Sequence, residues 1–334
     1  MSIFKKKKKA LIGILMAALL VVAGSGIYKA NAAARVDTSE TITIVAGISD
    51  TDTSVFATKY KGTVKIKLYK IADMDETGKL NIVEGFKDAG IDLSVLETNP
   101  TAETIQSSIV NPAKAVAPEN TNLVITLDRS AGAQVEPINI PAGAGLYLYV
   151  PEDITDARYK YTFISYVVMA PTSELITTGT GSDAWVNTVR FNLKATEQER
   201  FGNLEIKKKL DSFNVSLGTA SFVYRVTIKD GNETVSENVY SLDFDSATTK
   251  TKLLENIPAG YTVIVKEEYT GASYSLVGDA TATKTIEGEK TVTAEFENTY
   301  DNRLITGGVS AENNFENEDG TIYWVKPDKT KVKQ

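Results

Sequence analysis

Asn256-Ile257-Pro258-Ala259-Gly260-Tyr261-Thr262-Val263-Ile264-Val265-Lys266-Glu267 is a turn running into a strand. Pro258 and Gly260 break the chain, and beyond them Tyr261, Val263, Val265 and Glu267 share one face by period-two parity. An echo lies upstream: Asn139-Ile140-Pro141-Ala142-Gly143, then Ala144, Gly145 and Leu146-Tyr147-Leu148-Tyr149-Val150. Gly62-Thr63-Val64-Lys65-Ile66 and Gly202-Asn203-Leu204-Glu205-Ile206 each open a strand in matching position before their turn. Two copies of one β-sandwich topology account for this repetition.

The rest of the chain agrees. It is rich in Val, Ile, Thr and Tyr, punctuated by Gly, Asn, Asp and Pro, a composition of strands and turns. Residues 63–68, 146–150, 261–265 and 291–297 alternate as strands buried on one face. One helix is expected over residues 102–110, capped near Thr101, followed by a surface loop over 111–121 that contains Pro112 and Pro118. The polar run 195–200 separates the copies, giving domains over 37–198 and 199–300. Residues 301–334 form a polar tail in which Thr321-Ile322-Tyr323-Trp324-Val325 could add one strand to an exposed edge.

Residues 1–34 have the layout of an export signal. Five lysines at 5–9 precede an apolar run over 10–22, and Ala30-Asn31-Ala32 and Ala32-Ala33-Ala34 offer small-x-small cleavage sites. An uncleaved anchor is the other reading, because the 18 residues from Ala10 to Ile27 sit at the short edge of a membrane span. The expectation is a secreted chain with no membrane segment after cleavage. The whole chain has a net charge of −7, and losing the six lysines of residues 1–34 makes it more acidic still. Such a surface repels nucleic acid. The chain has no cysteine and no histidine. Disulfides, thiolate nucleophiles, His-based triads and zinc held by Cys or His are therefore excluded, and an exported protein must gain its toughness elsewhere. No cofactor or metal is expected. Acidic stretches near Asp50 and Asp52, or Asp73 and Asp75, lack a full calcium loop.

The second domain carries the informative polar residues. Leu204, Ile206 and Lys208 share a face, as do Val292, Ala294, Phe296 and Asn298. With Glu267, three strands each end an apolar face on a polar group: an amine, a carboxyl and a carboxamide. A lysine in an apolar core tends to lose its proton and become a nucleophile. A protonated Glu267 can polarise the Asn298 carboxamide and shuttle protons to departing ammonia. The expected product is a Lys–Asn amide. By parity Lys207, Lys209 and Glu268 face solvent, unless a β-bulge exchanges the choices.

Gly202-x-Leu204-x-Ile206-x-Lys208, Pro258-Ala259-Gly260-Tyr261-x-Val263-x-Val265-x-Glu267 and Phe296-x-Asn298-Thr299 resemble the motifs of Cna B-type domains in Gram-positive pilins and adhesins. That resemblance implies an all-β fold of two tandem Ig-like sandwiches. It also implies a spontaneous isopeptide bond between Lys208 and Asn298 with Glu267 as the catalytic acid.

The first domain resembles the N-terminal domain of pilin subunits at Leu68-Tyr69-Lys70-Ile71-Ala72-Asp73, Gly145-Leu146-Tyr147-Leu148 and Val167-Val168-Met169-Ala170-Pro171-Thr172. Aligning the echoes sets Glu152 opposite Glu267 but puts Leu68 and Leu193 where Lys208 and Asn298 stand. No internal bond is expected there, or one built from other residues.

Trp185-x-x-x-Val189 leading to Lys194 is similar to the region holding the lysine that a sortase joins to the next subunit. Here the local sequence is Asn192-Leu193-Lys194 rather than Tyr-Pro-Lys, so Lys194 is either that acceptor or an ordinary surface lysine. Leu304-Ile305-Thr306-Gly307-Gly308 lacks the proline of a sorting signal.

The resemblance implies a structural surface protein, pilin subunit or adhesin stalk, whose partners are other pilin subunits and a sortase. The alternative is a module binding a host glycan or matrix protein, with Tyr147, Tyr149, Tyr159, Tyr161 and Tyr166 as an aromatic surface. A secreted enzyme has no motif to support it.

Overall fold

The computed structural model describes residues 35–173, 184–302, 314–318, 321–325 and 331–333. The export-signal reading of residues 1–34 and the Leu304-to-Gly308 segment lie outside them. The chain divides into two compact units: one takes residues up to Asn203 with Leu254–Tyr261 and Thr285–Thr291, and the other takes Leu204–Leu253, Thr262–Lys284 and Val292 onward. The architecture is all-β, with short helical turns in the first 120 residues and one more at Val215–Leu217.

The second sandwich is built from two four-stranded sheets. One runs Thr249–Pro258, Phe201–Leu210, Thr291–Tyr300, Tyr274–Val277; the other runs Glu233–Phe244, Ala220–Asp230, Thr262–Tyr269, Thr281–Thr285. Its first and last long strands are thus hydrogen-bonded neighbours. Parity is kept along both: Leu204, Ile206, Lys208 and Leu210 are buried while Lys207 and Lys209 are exposed. Gly202 is a glycine for a spatial reason, since a Cβ there would lie 2.1 Å from the Glu287 carbonyl oxygen. Gly260 holds the turn before Thr262–Tyr269 at φ +78°, a backbone region that L side chains disfavour.

In the first domain, Leu80–Ile82, Thr63–Met74, Gly145–Pro151 and Tyr166–Ala170 form one sheet, joined by Val124–Asp128 against Thr63–Met74. A second sheet orders Thr188–Asn192, Ile42–Gly47 and Val135–Ile140, and its first pair is parallel, with Ile44 opposite Val189 and Ala46 opposite Phe191. This corrects the alignment of the two copies. The strand that opens at Thr63 does not pair with Thr188–Asn192, which leads to Leu193; Ile42–Gly47 does, as Phe201–Leu210 pairs with Thr291–Tyr300. The topological counterparts of Lys208 and Asn298 are therefore Ile48 and Leu193, both 2% exposed.

Two other expectations change. Gly145 through Tyr149 are all buried, so this central strand is covered on both faces and its one-sided alternation is only apparent. Helix also continues past Pro112, through Ala102–Ile105, a wider π turn at Gln106–Val110, and Asn111–Val116. Thr101 caps it by accepting from Thr104 N, as expected. Proline cannot donate to the carbonyl four residues back. The π turn shifts the ladder so that Asn111 N donates to Gln106 O, and the Ser108 carbonyl that Pro112 leaves free accepts from Asp92 N at 3.0 Å.

The strand Thr321–Val325 pairs antiparallel with its own neighbours, Asn314–Glu318 and Lys331–Lys333, in a three-stranded sheet, rather than extending an existing edge.

Candidate functional site

Lys208, Glu267 and Asn298 converge in the second sandwich. Lys208 reaches inward from the first strand, Asn298 from the last, and Glu267 from the facing sheet. Lys208 and Asn298 are 0% exposed and Glu267 4%. The Lys208 Nζ donates to Glu267 Oε1 and Oε2, each at 2.9 Å, and to Asn298 Oδ1 at 2.5 Å. The Asn298 Nδ2 donates to Glu267 Oε1 at 2.8 Å and to the Thr270 carbonyl at 3.1 Å. Aromatic rings close the rest of the site: the Lys208 Nζ lies 4.4 Å from the Phe222 ring centre and 5.8 Å from that of Tyr224.

Parity fixed which residues meet here, and a bulge guards it. Tyr224 stands opposite Glu267 while Val223 stands opposite Tyr269, so Glu268 is the extra residue. Because the bulge follows Glu267, that residue keeps its inward aim. Glu268 faces out and binds Arg225 Nε and Lys266 Nζ, both at 2.9 Å. Lys207 and Lys209 likewise face out, pairing at 2.9 Å with Glu295 and Glu297.

Burial dominates the electrostatics. It pushes Lys208 down to about 8, against the opposing pull of Glu267. It also raises Glu267, with the Lys208 ammonium and the Asn298 amide working in the other direction. Both shifts lower the cost of moving a proton from the Lys208 ammonium to the Glu267 carboxylate, which would leave an amine beside a carboxylic acid. An uncharged amine in contact with a carboxamide whose neighbour is a proton donor is an arrangement suited to acyl transfer.

Lys194 is exposed, between the strands Thr188–Asn192 and Ala195–Glu199 and beside buried Leu193. Glu152, set opposite Glu267 by the echo, is at the surface and pairs with Lys67 at 3.2 Å. The aromatic surface is corrected. Tyr147, Tyr149, Tyr161 and Tyr166 are core residues, at most 5% exposed, and only Tyr159 is half-buried. Alternation of Tyr on these strands reflects packing on both sides of a sheet. Among the described residues no group of three or more acidic side chains is placed to hold a metal ion. Sequence reasoning missed Tyr224, whose buried hydroxyl has no hydrogen-bond partner among the described residues; its place opposite Glu267, a matter of strand register, singles it out.

Fold and site together define an all-β chain whose second sandwich encloses a lysine, a glutamate and an asparagine. Residues 204–301 match a family model described as a domain of unknown function, DUF5979. No curated protein matches the chain. Among solved structures, it is similar to GBS52, the minor pilin of Streptococcus agalactiae, at 16% identity over 82% of this chain and 100% of that one, with a TM-score of 0.24. It is also similar to the major pilin T-13 of Streptococcus pyogenes, at 14% identity over 80% and 98%, with a TM-score of 0.25. The Bacillus anthracis TIE protein matches at 11% identity over 78% of this chain and 34% of that one, TM-score 0.32.

Proposed function

We propose that this chain is a structural protein of a Gram-positive cell surface, a pilin subunit or adhesin stalk, whose second domain joins Lys208 to Asn298 through an amide bond. The observation that carries the reading is the burial of an amine in contact with a carboxamide oxygen and both oxygens of one carboxyl, on neighbouring first and last strands.

The chemistry follows from that contact. Transfer of a proton from the Lys208 ammonium to Glu267 leaves a neutral Nζ. The Nζ attacks Asn298 Cγ while the Glu267 acid hydrogen-bonds the Oδ1 on which negative charge develops. Glu267 then passes a proton to Nδ2 and takes the second proton from Nζ; ammonia departs, one N–H stays on the new amide, and Glu267 ends as the acid. The fold holds the reactants together continuously, so proximity supplies much of the rate. The reaction is self-directed and happens once. Its product removes a buried charge pair whose desolvation is costly. It also fastens the two terminal strands of the domain against unzipping and proteolysis, the task disulfides perform in other exported proteins.

Residues 1–34 supply the export signal in this reading, the domains over 37–198 and 199–300 form the stalk, and Lys194 is the candidate acceptor for a sortase linking subunits. Its exposure meets the access such a reaction requires. Intact-mass measurement tests the central claim. The protein should be about 17 Da lighter than its sequence, the mass of one ammonia. Glu267→Ala should keep the full mass with both partners present. A tryptic digest returning Lys208 and Asn298 on separate peptides would overturn the reading.

A further inference from the structure

Tyr224 is the residue of this core that the chemistry above leaves unused. Its ring packs 5.1 Å from that of Phe296, and its hydroxyl is buried without a hydrogen-bond partner among the described residues. It stands directly opposite Glu267 in the strand pairing. Burial, and then the charge of Glu267, hold the phenol above its ordinary range, so the hydroxyl remains a donor. Phe222, Phe244 and Phe296 fill the same core with no oxygen at all. Shape alone therefore does not call for a tyrosine, and a buried hydroxyl with no partner is a net cost.

The condensation changes which donors are available. Before it, Lys208 Nζ serves both Glu267 oxygens and Asn298 Oδ1, while Asn298 Nδ2 serves Glu267 Oε1 and the Thr270 carbonyl. The Nζ-to-Cγ bond forms and the Cγ-to-Nδ2 bond breaks. The ammonium gives up two hydrogens, one held by Glu267 as the acid and one passed through it to Nδ2, which leaves as ammonia; the new amide retains a single N–H. Glu267 thus loses most of its donors in one step.

We propose that Tyr224 is a positioning residue for the cross-link: its hydroxyl donates to the Glu267 carboxyl once Lys208 and Asn298 have given up their N–H groups. This rests on the cross-link reading above. A hydroxyl idle in the reactant and partnered in the product favours the product.

The test is Tyr224→Phe in the full chain, in two backgrounds, with thermal melting and intact mass as readouts. In the linked protein, Tm should fall by about 4 °C. In Asn298→Ala, where no bond forms and the hydroxyl stays idle, Tm should be unchanged or higher. Phe296→Leu, which disturbs the same packing but keeps the hydroxyl, should lower Tm in both. Equal losses from Tyr224→Phe in the two backgrounds, or none in the linked protein, overturn the inference while leaving the cross-link intact. A wild-type mass without the loss of ammonia overturns the cross-link and the role of Tyr224 with it.

Discussion

The two sandwiches solve one problem in opposite ways. Each sets its first strand beside a late one, Thr188–Asn192 in the first domain and Thr291–Tyr300 in the second, and each aims alternate residues into the core. In the second the inward sets are Leu204, Ile206, Lys208 and Ala294, Phe296, Asn298; in the first they are Ile44, Ala46, Ile48 and Val189, Phe191, Leu193. The apolar pair Ile48 and Leu193 stabilises by leaving water, and nothing further is asked of it. The polar pair costs free energy while it stays as an ion and an amide, and stabilises only if it reacts. The first domain does bury a cation, Arg129 at 2% exposure, but two of its three guanidinium nitrogens donate to the backbone carbonyls of Ala133 and Ala57 at 2.6 and 2.5 Å. Buried cations are tolerated in both domains; a reactive carbonyl carbon beside one is found in the second.

The largest test of this contrast removes a partner. Lys208→Ala or Asn298→Ala should restore the full mass and lower the Tm of the second domain by roughly 20 °C. A link across 90 residues is worth about 4–5 kcal/mol by loop closure, and a small domain loses several degrees per kcal/mol. Next in size is the reverse graft. Ile48→Lys with Leu193→Asn places an amine and a carboxamide at the matching sites of the first domain. The echo's acid, Glu152, is at the surface there, so no ammonia should be lost and stability should fall by roughly 3 kcal/mol or more. A mass deficit in that variant would mean that the acid is dispensable.

The pH dependence of cross-linking on refolding sharpens the role of the pair. The reactive form, neutral Lys208 with protonated Glu267, carries the same proton count as the ion pair. Acid adds a proton and keeps the amine charged. Above about 8, the lowered value of Lys208, the amine is free but Glu267 is ionised and the acid is missing. The rate should therefore be bell-shaped with its alkaline limb near 8, the apparent values belonging to the pair. A rate that keeps rising to pH 10 would exclude Glu267 as acid. The smallest effect belongs to the outward neighbours. Lys207→Ala and Lys209→Ala break exposed ion pairs worth at most about 1 kcal/mol, and cross-linking should still go to completion.

The site was legible because strand parity is a strict rule over short distances. From Leu204 to Lys208, or Val263 to Glu267, no residue breaks the alternation, so inward and outward positions can be counted. The count would have failed had the bulge at Glu268 come one residue earlier. The pairing of strands was less legible. Thr63–Met74 has the stronger alternation and imitates the opening strand of the second domain, whereas Ile42–Gly47 is short and nearly apolar, and only long-range hydrogen bonding reveals its partner. Pro112 misled for a similar reason. Its missing donor reads as a helix stop, and the repair, a π turn with Asp92 N serving the Ser108 carbonyl, depends on a segment 16 residues away.

The side-by-side placement of Phe201–Leu210 and Thr291–Tyr300 has a consequence for where tension runs. With Lys208 and Asn298 joined, a force applied at either end of the domain crosses from one strand to the other at that bridge. It stretches only the few residues leading to it. The six other strands of the sandwich lie off the load line, free to drift in sequence and surface chemistry without weakening that path.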